Sequence, residues 1–184
     1  NSLPVCTVLG SSVTLLTTGT CSISADQAGD ADWNAAPQVT RTFAVSTADQ
    51  TISFPALSGV RLDQSAPVPA ATASSGLAVS YSTASSACSV TSGGVITLLH
   101  AGTCTIAADQ AGNATYNAAP QQSQSFTIAK GNQTITFGAL AAKTLAQSPV
   151  AISATASSGL TVSFSSNSLP VCTVLGSSVT LLTT

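Results

Sequence analysis

The chain has 184 residues, which is enough for one or two domains. Charged residues make up only 5% of it, glutamate is absent, and the formal net charge is −2, so no basic surface for nucleic acid or anionic lipid is expected. Disordered chains combine low hydrophobicity with high net charge, and this chain has neither. No apolar run is long enough to predict a membrane span.

Three strings recur at a constant spacing of 83 residues, which predicts a module of that length. QTISFPAL (50–57) returns as QTITFGAL (133–140), ATASSGLAVSYS (71–82) as ATASSGLTVSFS (154–165), and GTCSISADQAGDADWNAAP (19–37) as GTCTIAADQAGNATYNAAP (102–120). We therefore interpret 1–49 as the C-terminal part of one module, 50–132 as a complete module, and 133–184 as the N-terminal part of the next.

A longer period also runs through the chain. NSLPVCTVLGSSVTLLTT stands at 1–18 and again at 167–184, a distance of 166 residues, whereas the segment one module away, around Cys88, is only similar. This pattern predicts an alternating array of two-module units. The chain is then a window cut from a longer repeating protein, with any secretion signal lying upstream.

Hydrophobic residues alternate at period two along the module, which predicts short strands separated by Gly, Ser and Pro turns. Ile52 and Phe54 are expected to share a buried face, as are Phe126 and Ile128. Further strands are predicted around 77–81, 95–99 and 104–107. Such spacing is typical of a β-sandwich, so the predicted fold is all-β. The string ADQAG is the one candidate for a helical turn.

The five cysteines predict two disulfides, Cys6–Cys21 and Cys88–Cys104, and leave Cys172 alone. In the first copy LLTT is followed by GTC, so the partner of Cys172 is expected three residues beyond Thr184. Closing a 15-residue loop is worth about 3 kcal/mol and implies an oxidising compartment. A metal or redox pair is the alternative, but the chain lacks both C-x-x-C spacing and nearby histidine ligands.

Trp33 and Tyr116 occupy equivalent places in the two copies of one insert. We expect them to plug one end of the sandwich or its junction with the next module. Stacking on a ligand is the alternative role for these rings.

Asp26, Asp30 and Asp32 form an oxygen-rich segment of the kind that binds Ca²⁺. Asn113 and Thr115 replace two of these carboxylates in the other copy. A metal shared by every module is therefore not expected, and no cofactor is predicted.

Residues suited to catalysis are scarce. His100 lies in a predicted turn and is matched by Thr17 or Thr18 in the first copy, so no common histidine triad is predicted and the chain is not expected to be an enzyme. Lys143 invites comparison with lysine–asparagine isopeptide bonds, but the equivalent neighbourhood holds Arg61 and no assisting glutamate exists. Glycosylation sequons start at Asn113 and Asn132, a pattern common by chance.

The segment SYSTASSACSVTSGGVITLLHAGTCTIAA (80–108) resembles the bacterial immunoglobulin-like repeat of intimin- and invasin-type surface proteins. The resemblance covers the C-terminal two-thirds of the module and implies tandem immunoglobulin-like β-sandwiches stacked end to end. Two features depart from that pattern. Cys88 and Cys104 stand where small residues are usual, and QAGNATYNAAP (110–120) is inserted before the last strand.

These observations predict a structural segment of a long extracellular protein that forms a filament, sheath fibre or stalk. Its partners would be copies of itself, both neighbouring modules and lateral chains, because few charges protect its strand edges. The alternative is the spacer of a cell-surface adhesin whose binding tip, with a cell-surface or glycan ligand, lies outside this window. A carbohydrate-binding module would need exposed aromatic platforms, and aromatics are only 4% of the chain.

Overall fold

The computed structural model describes residues 4–182, which form two compact units that divide between Lys130 and Gly131. Strands dominate both units, and one 3-10 turn, Leu145–Gln147, is the sole helical element of the described residues. The predicted all-β class is confirmed. The string ADQAG forms no helical turn, because Asp26 and Gln27 continue a paired strand. Among residues 4–182, no helix has the length and apolar character needed to cross a membrane.

The first copy of the module, the partial one within residues 1–49, contributes two antiparallel hairpins. Their strands are β1 (Cys6–Leu9), β2 (Ser12–Leu15), β3 (Gly19–Gln27) and β4 (Ala36–Val45). Gly10 turns the first hairpin with a φ of 60°, a conformation that glycine adopts without steric cost. β3 and β4 pair along most of their length, with a bulge between Ala25 and Gln27.

Eight strands follow in the same unit. They are β5 (Ile52–Ser53), β6 (Val60–Arg61), β7 (Thr72–Ala73), β8 (Ser80–Ser82), β9 (Cys88–Val90), β10 (Ile96–Leu98), β11 (Gly102–Asp109) and β12 (Gln122–Ala129). One sheet has the order β6-β12-β11-β8, in which β6 runs parallel to β12 and the other pairs are antiparallel. The pairs β5–β7 and β9–β10 are separate from it.

The hydrophobic core of the first unit lies within residues 50–132. Buried side chains from the four-stranded sheet meet those of β5, β9 and β10 in one cluster: Ile52, Phe54, Ala87, Cys88, Ile96, Cys104, Ile106, Ala108, Phe126 and Ile128. The predicted inward faces at Ile52 and Phe54 and at Phe126 and Ile128 are confirmed. The strand period of two explains this, since alternate side chains point to one face.

The second unit has five strands, β13 (Ile135–Phe137), β14 (Val150–Ala151), β15 (Ala154–Ala156), β16 (Cys172–Leu175) and β17 (Ser178–Leu181). β13 pairs with β15, and β14, β17 and β16 form a three-stranded sheet. The rings of Phe137 and Phe164 lie 5.5 Å apart, as the equivalent Phe54 and Tyr81 rings lie 5.9 Å apart in the first unit.

Equivalent positions differ in burial between copies. Phe126 is 4% exposed, whereas Phe43, 83 residues earlier, is 43% exposed. Ile52 is 7% exposed, whereas Ile135, 83 residues later, is 62% exposed. The first copy holds counterparts of β9 to β12, and the second unit holds counterparts of β5, β7, β9 and β10. Each therefore has only part of the strand set that encloses the core in residues 50–132.

Candidate functional site: a hydrogen-bonded junction at Gln50

Gln50 is the one buried polar side chain of the described residues, at 3% exposure, and it lies between β4 and β5. Its Nε2 donates to Gln110 Oε1 at 2.6 Å and to the Asn117 carbonyl oxygen at 2.6 Å. Its Oε1 accepts from Ser75 Oγ at 2.5 Å. A buried amide without partners costs free energy, and these contacts avoid that cost.

The residues before Gln50, which we call the first linker (46–50), are bonded to the loop 110–118, the tyrosine loop. The Ala48 N–H donates to the Thr115 carbonyl at 2.8 Å, and the Asn117 N–H donates to the Ala48 carbonyl at 2.8 Å. Ala48 and Tyr116 thus form an isolated parallel bridge. The connection between the two copies is therefore held in place by backbone hydrogen bonds.

Asn117 also binds the first linker with both ends of its side chain. Its Oδ1 accepts from the Thr47 hydroxyl, and its Nδ2 donates to Asp49 Oδ1 at 2.8 Å. One asparagine therefore joins the residues on either side of Ala48.

The tyrosine loop is shaped by its own polar groups. Asn113 Oδ1 accepts from the backbone N–H groups of Thr115 at 2.8 Å and Tyr116 at 2.9 Å. Gln110 Oε1 accepts from the Gly112 N–H at 2.6 Å. Gly112 has a φ of 78°, and a Cβ there would overlap the Tyr116 carbonyl oxygen, so this turn requires glycine.

The loop 27–35, which we call the tryptophan loop, has the same internal geometry. Asp30 Oδ1 accepts from the N–H groups of Asp32 at 2.9 Å and Trp33 at 2.9 Å, as Asn113 does in the other copy. Gln27 Oε1 accepts from the Gly29 N–H at 2.6 Å. The Asp30 carboxylate thus orders a turn, a role that an amide fills equally well.

The other aspartates of this segment have no shared ligand geometry. Asp26 Oδ1 accepts from Gln38 Nε2 at 2.8 Å. Within residues 4–182, no three His, Cys, Asp or Glu side chains come close enough together to hold a metal ion. The structure therefore shows a turn-forming function for Asp30.

The two aromatic residues of the loops differ in exposure. Tyr116 is half-buried and its backbone pairs with the first linker, so its loop lies at the junction. Trp33 is 77% exposed in the partial copy 1–49, and its plugging of a module end or junction stays a prediction. Within residues 4–182, the tryptophan loop has no counterpart of the linker that lies on the tyrosine loop.

Both copies also line one shallow cavity beside the junction. The first copy contributes the end of β2 with Leu15 and Leu16, and the tyrosine loop contributes Ala114 and Thr115. Ala48 of the first linker lies in the same wall. Residues of both copies therefore lie around the same cavity at the junction.

The cysteine pairs are as predicted. Cys6 is bonded to Cys21 and Cys88 to Cys104, and Cys21 and Cys104 are fully buried. These disulfides indicate an oxidising compartment rather than the cytosol. Cys172 is a half-buried free thiol whose Sγ lies 3.2 Å from Ser166 Oγ. Its predicted partner would lie beyond Thr184, outside the described residues.

The remaining candidate residues are His100, Lys143 and Arg61. His100 is exposed in the turn between β10 and β11, where its N–H donates to the Ala87 carbonyl at 3.1 Å. Lys143, considered for an isopeptide bond, is exposed in the second unit. Arg61 pairs with Asp63 at 3.2 Å.

The junction residues Gln50, Gln110 and Asn117 were not predicted from the sequence. A signal was nevertheless present, because each recurs at the 83-residue spacing as Gln133, Gln27 and Asn34. Compared with protein-family models, curated proteins and solved structures, the chain shows no significant match. The resemblance to bacterial immunoglobulin-like repeats therefore stays a prediction.

Proposed function

We propose that the chain is a structural segment of a long extracellular repeat protein, in which immunoglobulin-like sandwich modules stack end to end to form a filament, sheath fibre or stalk. The observation that carries this proposal is the junction at Gln50. The first linker is hydrogen-bonded to the following copy through Ala48, Asp49 and Gln50, and a flexible tether would need no such contacts.

A hydrogen-bonded junction is suited to a protein whose modules keep a fixed orientation to their neighbours. In stacked repeats, the interface between neighbours adds to the stability of each module. Here the buried Gln50 amide and the backbone bonds of Ala48 supply such an interface. We infer that bending at this point is opposed by the loss of hydrogen bonds that water would not fully replace in a buried site.

The differences in burial between copies support an array. Phe43 and Ile135 are exposed hydrophobic residues whose equivalents, Phe126 and Ile52, belong to one core. In a continuing array, the segment that completes each partial copy would bury them. Burying a large aliphatic or aromatic side chain is worth about 1.5–3 kcal/mol, so each completed copy would be stabilised.

Two further properties favour an extracellular fibre. The disulfides bring covalent cross-links to a module with a small core. Only 5% of the residues are charged, which leaves few side chains to prevent strands of adjacent chains from pairing at their edges. Lateral association of several chains is therefore part of the proposal.

Cryo-electron microscopy of the native material tests this function. We expect long uniform fibres whose axial repeat corresponds to one or two modules. Flexible strings that end in a distinct head would instead support the adhesin-spacer alternative. Globular particles without any axial repeat would overturn both.

A further inference from the structure

The two linkers and the two loops carry different charges. The first linker has Asp49, and the tyrosine loop on which it lies has no charged residue. The second linker (129–133) has Lys130 and no acid, whereas the tryptophan loop has Asp30 and Asp32. Within residues 4–182, the basic second linker therefore lies on no acidic loop, and the acidic tryptophan loop holds no basic linker.

We propose that the tryptophan loop is a docking site for the second linker of another copy of this chain, and that charge selects this linker over the first. This inference rests on the proposed function, in which copies follow one another. It adds a rule for which linker meets which loop. The residues at the junctions would then determine that the two modules alternate.

The tryptophan loop already has the turn conformation of the tyrosine loop, which holds the first linker. In the tyrosine loop, the groups that bind the first linker are the Thr115 carbonyl, the Asn117 N–H and side chain, and Gln110 Oε1. Their equivalents are the Asp32 carbonyl, the Asn34 N–H and side chain, and Gln27 Oε1. Since both loops have the same internal hydrogen bonds, the backbone of the tryptophan loop has the conformation that binds a linker in the other copy.

The second linker offers matching groups in the same order. Gly131 replaces Ala48, whose contribution is made entirely by its backbone. Lys130 replaces Thr47, so a donor replaces a donor, and Asn132 replaces Asp49, so its Oδ1 keeps an acceptor for the amide of Asn34.

The glutamine at the end of each linker also accepts the same kind of hydrogen bond. Gln133 Oε1 accepts from the Ser158 hydroxyl, as Gln50 Oε1 accepts from Ser75. This bond fixes the acceptor end of the amide, and the Nε2 group is then the end available to Gln27 Oε1. Gln133 is exposed, whereas Gln50 at an occupied loop is buried, as expected for a linker that has not docked.

Charge distinguishes the two linkers at this loop. Lys130 would lie near Asp30 and Asp32, and its positive charge would be attracted by their carboxylates. The first linker would bring Asp49 toward those carboxylates, and like charges at such distances repel. Because the groups are exposed, the selection should weaken as salt screens them.

A joined double chain provides the test. Residues 167–184 repeat residues 1–18, so residues 1–166 followed directly by the complete chain 1–184 keep the natural sequence across the join. The second linker of the first copy then precedes the tryptophan loop of the second copy. With Trp33→Phe in the first copy, the tryptophan of the second copy is the sole tryptophan, because each chain has one.

Quenching of its fluorescence by acrylamide reports docking. In the single chain Trp33 is 77% exposed and should be quenched readily. In the double chain, the tryptophan of the second copy should be shielded and its emission shifted to the blue. Equal quenching in the two proteins would overturn the docking site.

Charge reversal tests the selection. Lys130→Asp in the first copy of the double chain should shift the docking equilibrium toward the open form about twofold to fivefold, the range for an exposed ion pair. Adding Asp32→Lys in the second copy should restore shielding, and Lys143→Asp, outside the linker, should have no effect. Equal shielding with Lys130 and with Asp at this position would overturn the charge rule.

These outcomes are distinct from failure of the proposed function. Native fibres together with an exposed tryptophan in the double chain would leave the fibre intact and remove the docking site. A shielded tryptophan in material that forms no fibre would support the docking site and remove the fibre.

Discussion

Gln50 and Asn117 lie 67 residues apart in the sequence, yet Gln50 Nε2 donates to the Asn117 carbonyl oxygen at 2.6 Å. Asn117 in turn binds Thr47, Ala48 and Asp49, so one residue of the tyrosine loop contacts four residues of the first linker. Because the Gln50 amide is buried, each of its hydrogen bonds is made away from competing water. The pair therefore joins a connecting segment to the copy that follows it.

Gln50→Ala should destabilise the first unit by about 2 kcal/mol, since it leaves Gln110 Oε1 and the Asn117 carbonyl without their donor. The measurement is the free energy of unfolding from denaturant titration. Gln133→Ala is the matched control, because Gln133 is the equivalent residue but is exposed. Its expected effect is within about 0.5 kcal/mol. Equal losses in the two variants would contradict the assignment of the junction to Gln50.

Gly112→Ala should destabilise the tyrosine loop more than Gly76→Ala destabilises its turn. The two glycines have nearly the same φ, 78° and 75°, so the conformational cost of about 1 kcal/mol is common to both. Only at Gly112 would the new Cβ meet backbone, whereas nothing lies within 4 Å at Gly76. Thermal unfolding of the two variants measures the difference. Equal melting temperatures would show that the close approach to Tyr116 is unimportant.

Asp30→Asn should leave the stability nearly unchanged, because Asn113 makes the same two hydrogen bonds in the other copy. Asp30→Ala removes the acceptor for the Asp32 and Trp33 N–H groups and should cost about 1 kcal/mol. A chelator should not change the melting temperature of the unaltered chain. A large loss in Asp30→Asn together with chelator sensitivity would instead indicate a bound cation.

The core and the covalent links could be predicted from the sequence, because they depend on local periodicity and on repeat spacing. Alternation identified Ile52, Phe54, Phe126 and Ile128 as buried. The repeat made Cys21 and Cys104 equivalent, and each is bonded to the cysteine before it, as predicted. Both signals lie within one copy and need no knowledge of its neighbour.

The junction could not be predicted in the same way, because it depends on contacts between segments 60 to 70 residues apart. Gln50 in the string ADQTI has the composition of an ordinary turn, and only the fold brings it to Gln110. The 77% exposure of Trp33 could not be predicted either, because the segments that contact a loop are not given by its local sequence.

The final prediction concerns the free thiol of Cys172. The hairpin of β16 and β17 pairs Cys172 with Leu181, as the first hairpin pairs Cys6 with Leu15, so the two cysteines stand in the same place. Extending the chain beyond Thr184 by residues 19–27 of its own sequence supplies the counterpart of Cys21. Thiol titration under denaturing conditions should then fall from one reactive thiol per chain to none, because the new strand brings its cysteine to Cys172. The same extension with serine in place of that cysteine should keep one thiol, and two thiols in the extended chain would contradict the predicted pairing.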